Sequence, residues 1–226
     1  MPPRRALFCW NINIAASNPQ QARLRRALER EDLFTVVIDP FQTDSADLAD
    51  FVLPAAGFLE FDDLVSSYFH MTLSAQVKAM EPLGDSLPNQ EIFRRLARAT
   101  GYAEPELFET DAEIFHALLD GAGVAGGFAR LAQAGTIELW PEPLIQFADL
   151  KFPTPSGKIE IASAKAVADG HPRTPLPLVD PRPAEGRLRL LSPATSWLMN
   201  SSYGNDPKIG EKLGPATVVL HPSDAA

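Results

Sequence analysis

The sequence predicts an α/β fold: a parallel sheet with helices on its faces, then a proline-rich linker and a short β-rich segment. Three observations predict it. Apolar, often β-branched runs at Arg5 to Trp10, Leu33 to Ile38 and Phe51 to Leu53 read as strands. Helical patterns separate or follow them, and a β-α-β-β order is that of a Rossmann-like parallel sheet. Beyond residue 120 the texture changes to glycine and proline, the composition of irregular chain and linker.

Each element has its own signal. After the first strand, Asn18-Pro19-Gln20-Gln21 places Asn at a helix cap and Pro at the first helical position, predicting a helix from Gln20 to Arg30. The third strand is stopped by Pro54. Between the second and third strands, Thr43 or Asp44 is expected to cap a short helix. A helix over Asn89 to Thr100 carries Ile92, Phe93, Leu96 and Ala97 on one side and ends at Gly101. Thr110-Asp111-Ala112-Glu113 is a capping box opening a helix through Leu119, ended by Gly121. Gly121, Gly123, Gly126 and Gly127 then cluster. Pro172, Pro175, Pro177, Pro181 and Pro183 mark the linker. Arg187 to Leu191 and Thr217 to Leu220 read as two further strands. Two strands alone do not make a domain. The organisation expected is therefore an α/β segment at 1–120, an irregular and linker region at 121–185, and at 186–226 the truncated start of a β domain, poorly ordered by itself.

Composition excludes several functions. The chain has 226 residues, 45% hydrophobic and 22% charged, enough apolar material for a core in one or two domains. With 20 Lys and Arg against 29 Asp and Glu the net charge is −9, which disfavours nucleic acid and anionic membranes as partners. No apolar run is long enough to span a bilayer. The apolar stretch after Met1-Pro2-Pro3-Arg4-Arg5 is too short for a signal peptide, so the reading is cytoplasmic. The single cysteine, Cys9, sits in an apolar strand and reads as a small core residue. The four histidines show no ligand spacing, so no metal site is expected.

The residues suggest one ligand site. Asp39 ends the second strand, and ligands of open α/β sheets bind outside the carboxyl ends of the strands. The loop from Asn11 to Asn18 leaves the first strand toward a helix. A nucleotide between this loop and Asp39 fits that geometry, although no glycine-rich phosphate loop is present and the pattern alone favours a plain turn acid. The polar segment Asn200 to Asn205 reads as a turn or as hydrogen-bonding groups for a phosphate or heterocycle.

Several segments together resemble one family. Trp10-Asn11-Ile12-Asn13 with Ser17-Asn18-Pro19-Gln20 is similar to the "W-N-x-N-P…S-x-P" segment of the molybdopterin oxidoreductases, the superfamily of dimethyl-sulfoxide reductase, formate dehydrogenase and nitrate reductase. Asp39-Pro40-Phe41-Gln42-Thr43-Asp44-Ser45-Ala46, then Ala49-Asp50-Phe51-Val52-Leu53-Pro54, resembles its "D-x-F-x-T-x-T-A-x-x-A-D-x-V-L-P" signature. Pro82-Leu83-Gly84-Asp85 with Asn89, Phe152 to Glu160 ("F-x-T-P-S-G-K-x-E") and His221-Pro222-Ser223-Asp224-Ala225 match further segments in the family's order. Ile14 stands where the pattern has Pro, Ser45 where it has Thr, and Phe61 where some members have Lys.

The resemblance implies a cofactor: molybdopterin guanine dinucleotide with molybdenum or tungsten, gripped here at its guanosine and phosphate parts. It implies Asn13, Asp39 and Asn89 as cofactor-binding residues, with Ser192, Asn200, Ser201 and Ser202 as the polar loop that approaches from the last domain. It implies a fragment of a large subunit, inactive alone and without catalytic or metal-ligating residues. The metal ligand and a four-iron four-sulfur cluster would lie in an N-terminal part outside this sequence, as would any periplasmic export signal. The remainder of the large subunit and an iron–sulfur electron-transfer subunit are the implied partners. The rival readings are a noncatalytic scaffold subunit of a respiratory complex and a free-standing nucleotide-binding module.

Overall fold

The first strand forms on an unbroken apolar run, Ala6 to Trp10. In the computed structural model, which describes residues 4–66, 68–140, 143–177 and 181–225, β1 (Ala6–Trp10) pairs in parallel with β2 (Phe34–Asp39), and β2 with β3 (Phe51–Pro54). The reading of the extreme start of the chain falls partly on residues 1–3, outside the described residues. The sheet order is β1-β2-β3, with Cys9 beside Val37 beside Val52 and Trp10 beside Ile38 beside Leu53. β2 is central, and from Thr35 to Ile38 every residue is buried, as expected of a strand covered on both faces.

Alternation along β2 sends successive side chains to opposite faces. Val37 packs with Cys9 and Ala46 on one face, joined by Leu7, Ile14 and Ala49. Ile38 packs with Ala55 and Ile92 on the other, joined by Leu53, Leu87 and Leu96. Helices α1 (Ile14–Ser17) and α2 (Gln21–Leu28) bring Ala15, Leu24 and Leu28 together with Leu33 and Leu7. α3 (Asn89–Thr100) covers Ile38 through Ile92 and Leu96, and it sets Trp10 edge-on to Phe93 with ring centroids 5.1 Å apart. Asp50 Oδ2 accepts from Thr35 N at 2.7 Å, and Thr35 O accepts from Asp50 N at 2.9 Å, which fixes where β3 enters the sheet.

The helix expected from Asn18 is corrected. Asn18 is extended and closes α1, while Gln20 lies in the left-handed region at φ 58°, so α2 begins at Gln21. The residue before a proline is held out of the helical region, and Asn18 precedes Pro19. Gln21 Nε2 then donates to Ala15 O at 2.7 Å, docking the start of α2 on α1. A 3₁₀ turn at Ala46–Leu48 stands where the short helix was expected; Thr43 Oγ1 accepts from Ala46 N at 3.3 Å at its start.

A second sheet lies outside the sequence reading. β4 (Asp63–Ser66), β5 (Thr72–Gln76) and β6 (Thr136–Glu138) form it, antiparallel throughout. α4 (Asp111–Gly121) opens with the expected capping box. The region after it is not loose: α5 (Gly127–Ala134) packs on α4, with Phe115 and Phe128 stacked 5.0 Å apart and Leu119 and Leu131 buried. Gly126 permits that turn, at φ 92° and with a Cβ position only 2.5 Å from Arg130 Cδ.

The chain divides into two units, residues 1–139 with 193–226, and 140–192. In the second, α6 (Ala164–Ala168) is the one helix among the described residues. There the Thr154 to Lys158 loop closes through Thr154 Oγ1 donating to Lys158 O at 2.7 Å. The expected strand at Arg187 to Leu191 is not formed, and in the first unit neither is that at Thr217 to Leu220. Apolar propensity makes a strand only where a ladder partner exists, and neither segment has one among the described residues. Instead α7 (Pro207–Leu213) forms, with Asp206 Oδ1 accepting from Lys208 N at 2.8 Å as its cap. The proline-rich stretch has neither helix nor strand at 172–177 and 181–183; residues 178–180 lie outside the described residues.

Candidate functional site

Parallel strands end together, and the loops that leave them form the walls of a cleft. At the carboxyl ends of β1 and β2 this cleft has a volume of about 640 Å³. One wall is Asn11, Ile12 and Asn13; a second is Asp39, Pro40, Phe41 and Thr43; the third comes from the segment that includes Ser201, Ser202 and Tyr203 before α7.

Asp39 serves its turn and the cleft together. Its Oδ1 accepts from Phe41 N at 2.9 Å, an Asx turn that sets the loop, while Oδ2 has no hydrogen bond among the described residues. Asn13 holds two loops together. Its Oδ1 accepts from Ser45 N at 3.1 Å and from Ser45 Oγ at 2.7 Å, and its Nδ2 donates to Asp44 Oδ2 at 3.4 Å. Arg25 closes the outside of this arrangement through Asp44 Oδ1 at 2.6 Å. The Arg25 guanidinium, against the opposing effect of partial burial and with help from Asn13, holds the Asp44 carboxyl below the usual carboxylate range.

The third wall is tied to the other two by single contacts. Ser201 Oγ lies 3.4 Å from Ser17 Oγ, and Asn205 Nδ2 donates to Gln42 O at 3.3 Å. Of the residues expected from sequence, Asn13, Asp39, Ser201 and Ser202 line this one cleft. Asn200, at φ 56°, precedes Ser201 without lining it. Asn89 opens α3, its Oδ1 buried and without a hydrogen-bond partner among the described residues, and is not a lining residue. Ser192 belongs to the other unit and is exposed.

The sequence reading held Tyr203 only within the segment Asn200 to Asn205 and Phe41 only within a motif, and it did not reach Asp206. Phe41 is 63% exposed and Tyr203 66% exposed, so both rings offer apolar faces to a ligand. Asp206 adds a second carboxylate, and among the described residues none that lines the cleft is Lys or Arg. A cleft with acceptors, aromatic faces and no cation suits a neutral planar group with hydrogen-bond donors better than it suits a phosphate. A second cleft of about 620 Å³ lies by Glu60, Lys78, Asp111 and His116, but its charges are already engaged. Glu60 accepts from Gly57 N and Leu83 N, Lys78 pairs with Glu81, and Asp111 pairs with Arg94.

Comparison with known proteins gives these residues a context. The family described as Molybdopterin oxidoreductase matches residues 3–99. The chain is 35% identical over 215 residues to Probable oxidoreductase YoaE of Bacillus subtilis (strain 168), covering 92% of this chain and 31% of that protein. It is 28% identical over 177 residues to the thiosulfate reductase molybdopterin-containing subunit PhsA of Salmonella typhimurium, covering 62% of this chain and 22% of that protein. Acetylene hydratase from Pelobacter acetylenicus superposes with a TM-score of 0.64 at 21% identity, over 77% of this chain and 24% of that one, a likeness of fold. The chain thus spans less than a third of the length of each of these relatives.

Proposed function

Because this chain belongs to the molybdopterin oxidoreductase family, we propose that its cleft at the carboxyl ends of β1 and β2 binds the guanosine end of a molybdopterin guanine dinucleotide. Asp39 carries the reading. Among the described residues its Oδ2 has no hydrogen bond, in a cleft that also presents Phe41 and Tyr203 and no cationic side chain. Guanine offers N1–H and N2–H₂ donors on one edge and a flat face above it; adenine lacks that paired donor edge. The diphosphate would then lie outside this cleft, because phosphate needs cations or clustered N–H donors.

In this reading the chain is one portion of a large subunit and supplies binding and orientation. When bound, the metal–pterin centre supplies the two-electron chemistry, with molybdenum or tungsten. The rest of the subunit and an electron-transfer subunit are the partners we propose; the molybdopterin-containing subunit PhsA is itself named as a subunit of a reductase. No helix among the described residues is long and apolar enough to cross a membrane.

The test is calorimetric titration of the chain with guanosine 5′-monophosphate and, as control, adenosine 5′-monophosphate. Preference for the guanosine nucleotide is expected. Equal affinities, or no binding of either, would overturn the assignment.

A further inference from the structure

We infer that Ser45 is a positioning residue: its hydroxyl latches together the two strand-end loops that form facing walls of the cleft. The inference rests on the nucleoside reading above for its consequence in binding, though the latch itself stands on geometry alone. Ser45 is 1% exposed, so it does not touch a ligand in the cleft. It ends the loop that begins at Asp39, and Asn13 lies 32 residues earlier, in the loop after β1.

The hydrogen bonds at Ser45 admit one arrangement. Its backbone N–H and its hydroxyl both donate to Asn13 Oδ1, at 3.1 and 2.7 Å. A hydroxyl has one hydrogen, so its lone pair receives Ala15 N at 3.0 Å. Asn13 Nδ2 consequently faces Asp44 Oδ2, because a flipped amide would set its NH₂ against the Ser45 backbone N–H and its oxygen against the Asp44 carboxylate. Ser45 therefore fixes the orientation of Asn13, the start of α1 at Ala15 and the end of the Asp39 loop at one point. Ala15 is 0% exposed, so loss of the hydroxyl leaves its N–H without any acceptor, water included. Without the hydroxyl, the direct links left among the described residues are Ser45 N to Asn13 Oδ1 at 3.1 Å, Asn13 Nδ2 to Asp44 Oδ2 at 3.4 Å, and Asn11 N to Ile38 O of β2 at 3.4 Å.

The experiment uses the full chain with Ser45→Ala, Ser45→Thr, Asn13→Ala and the double variant Asn13→Ala/Ser45→Ala. Guanosine 5′-monophosphate affinity is read by calorimetry well below each variant's thermal midpoint, and amide hydrogen exchange of residues 39–43 is read without nucleotide. Ser45→Ala should weaken binding by roughly five- to tenfold, the loss expected of a buried hydrogen-bonded group. It should also speed exchange across 39–43. Ser45→Thr, which keeps the hydroxyl, should restore both readouts, and Ser45→Ala should cost less on top of Asn13→Ala than it does alone, because only the bond from Ala15 N is then left to lose. The proposal is overturned if Ser45→Ala leaves exchange at 39–43 unchanged, or if Ser45→Thr is as impaired as Ser45→Ala. Additive losses in the double variant overturn it too. If exchange responds as expected but the wild type shows no guanosine binding, the latch stands and the nucleoside reading is what fails.

Discussion

Asp39 Oδ1 accepts the backbone N–H of Phe41 at 2.9 Å, so the same carboxylate shapes the turn and lines the cleft. The two roles can be separated because they use different oxygens.

Asp39→Asn keeps a carbonyl oxygen for the Phe41 N–H and replaces the free oxygen with an NH₂ group, since the reverse orientation would set NH₂ against that N–H. The turn and the thermal midpoint should barely change, since Asn suits an Asx turn as well as Asp does. A guanine edge would then meet a donor where it needs an acceptor. Guanosine 5′-monophosphate binding should weaken by about 1.5–3 kcal/mol, the range for a hydrogen bond to a charged group. Titration of both proteins decides it, and an unchanged affinity would leave Asp39 as a turn acid alone.

The Arg25–Asp44 pair gives a pH dependence of defined sign. Asp44 is held below its usual range in the folded chain, chiefly by Arg25. Its contribution is therefore present above the ordinary carboxylate pKa and is lost as pH falls through the lowered folded value. The two side chains are 36% and 48% exposed, so solvent screening limits the contribution to below about 1 kcal/mol. Arg25→Gln should lower the thermal midpoint slightly at pH 7, and the gap from wild type should close in strong acid. A gap that stays constant across that range would show that Arg25 acts through packing instead.

The central position of β2 is tested by unequal core truncations. Ile38 is 1% exposed between Ala55 and Ile92, whereas Val52 on β3 is 37% exposed. Ile38→Ala should cost about 2–5 kcal/mol in chemical denaturation, the range for removing a large buried aliphatic side chain. Val52→Ala should cost clearly less, because its site is already wet. Equal costs would contradict the burial asymmetry of the sheet.

The elements that were legible in the sequence are those whose signals are local. β1, β2 and β3 stand where apolar runs predict them, α3 ends at Gly101 in the left-handed conformation at φ 80°, and Thr110 and Glu113 form their capping box. What was not legible depends on partners distant in sequence. β6 is three residues whose strand character exists only through pairing with β5, across the whole of α3, α4 and α5. Arg187 to Leu191 has the composition of a strand but joins no ladder among the described residues. The cleft divides in the same way. Asp39 is readable from its place at a strand end, but Tyr203 and Asp206 join it only because the fold returns a segment from far along the chain. Asn205 bonding Gln42 and Ser201 beside Ser17 are the contacts that mark this return.

Cys9 supplies a chemical measure of how tightly the first strand is held. It is 3% exposed, it packs with Val37 and Ala46, and burial pushes its thiol pKa up. The thiolate is the reactive form, so both access and ionisation oppose modification in the folded chain. With Ellman's reagent near pH 8, reaction should be slow in native buffer and should reach the one thiol per chain only as urea unfolds β1. The rate should follow opening of the sheet, since Cys9 sits beside Val37 in the parallel ladder and cannot be reached without separating those strands or the elements above them. Ile38→Ala, which weakens the adjacent position of β2, should therefore speed the reaction. Fast stoichiometric modification of the wild type without denaturant would show that Cys9 is not a core residue.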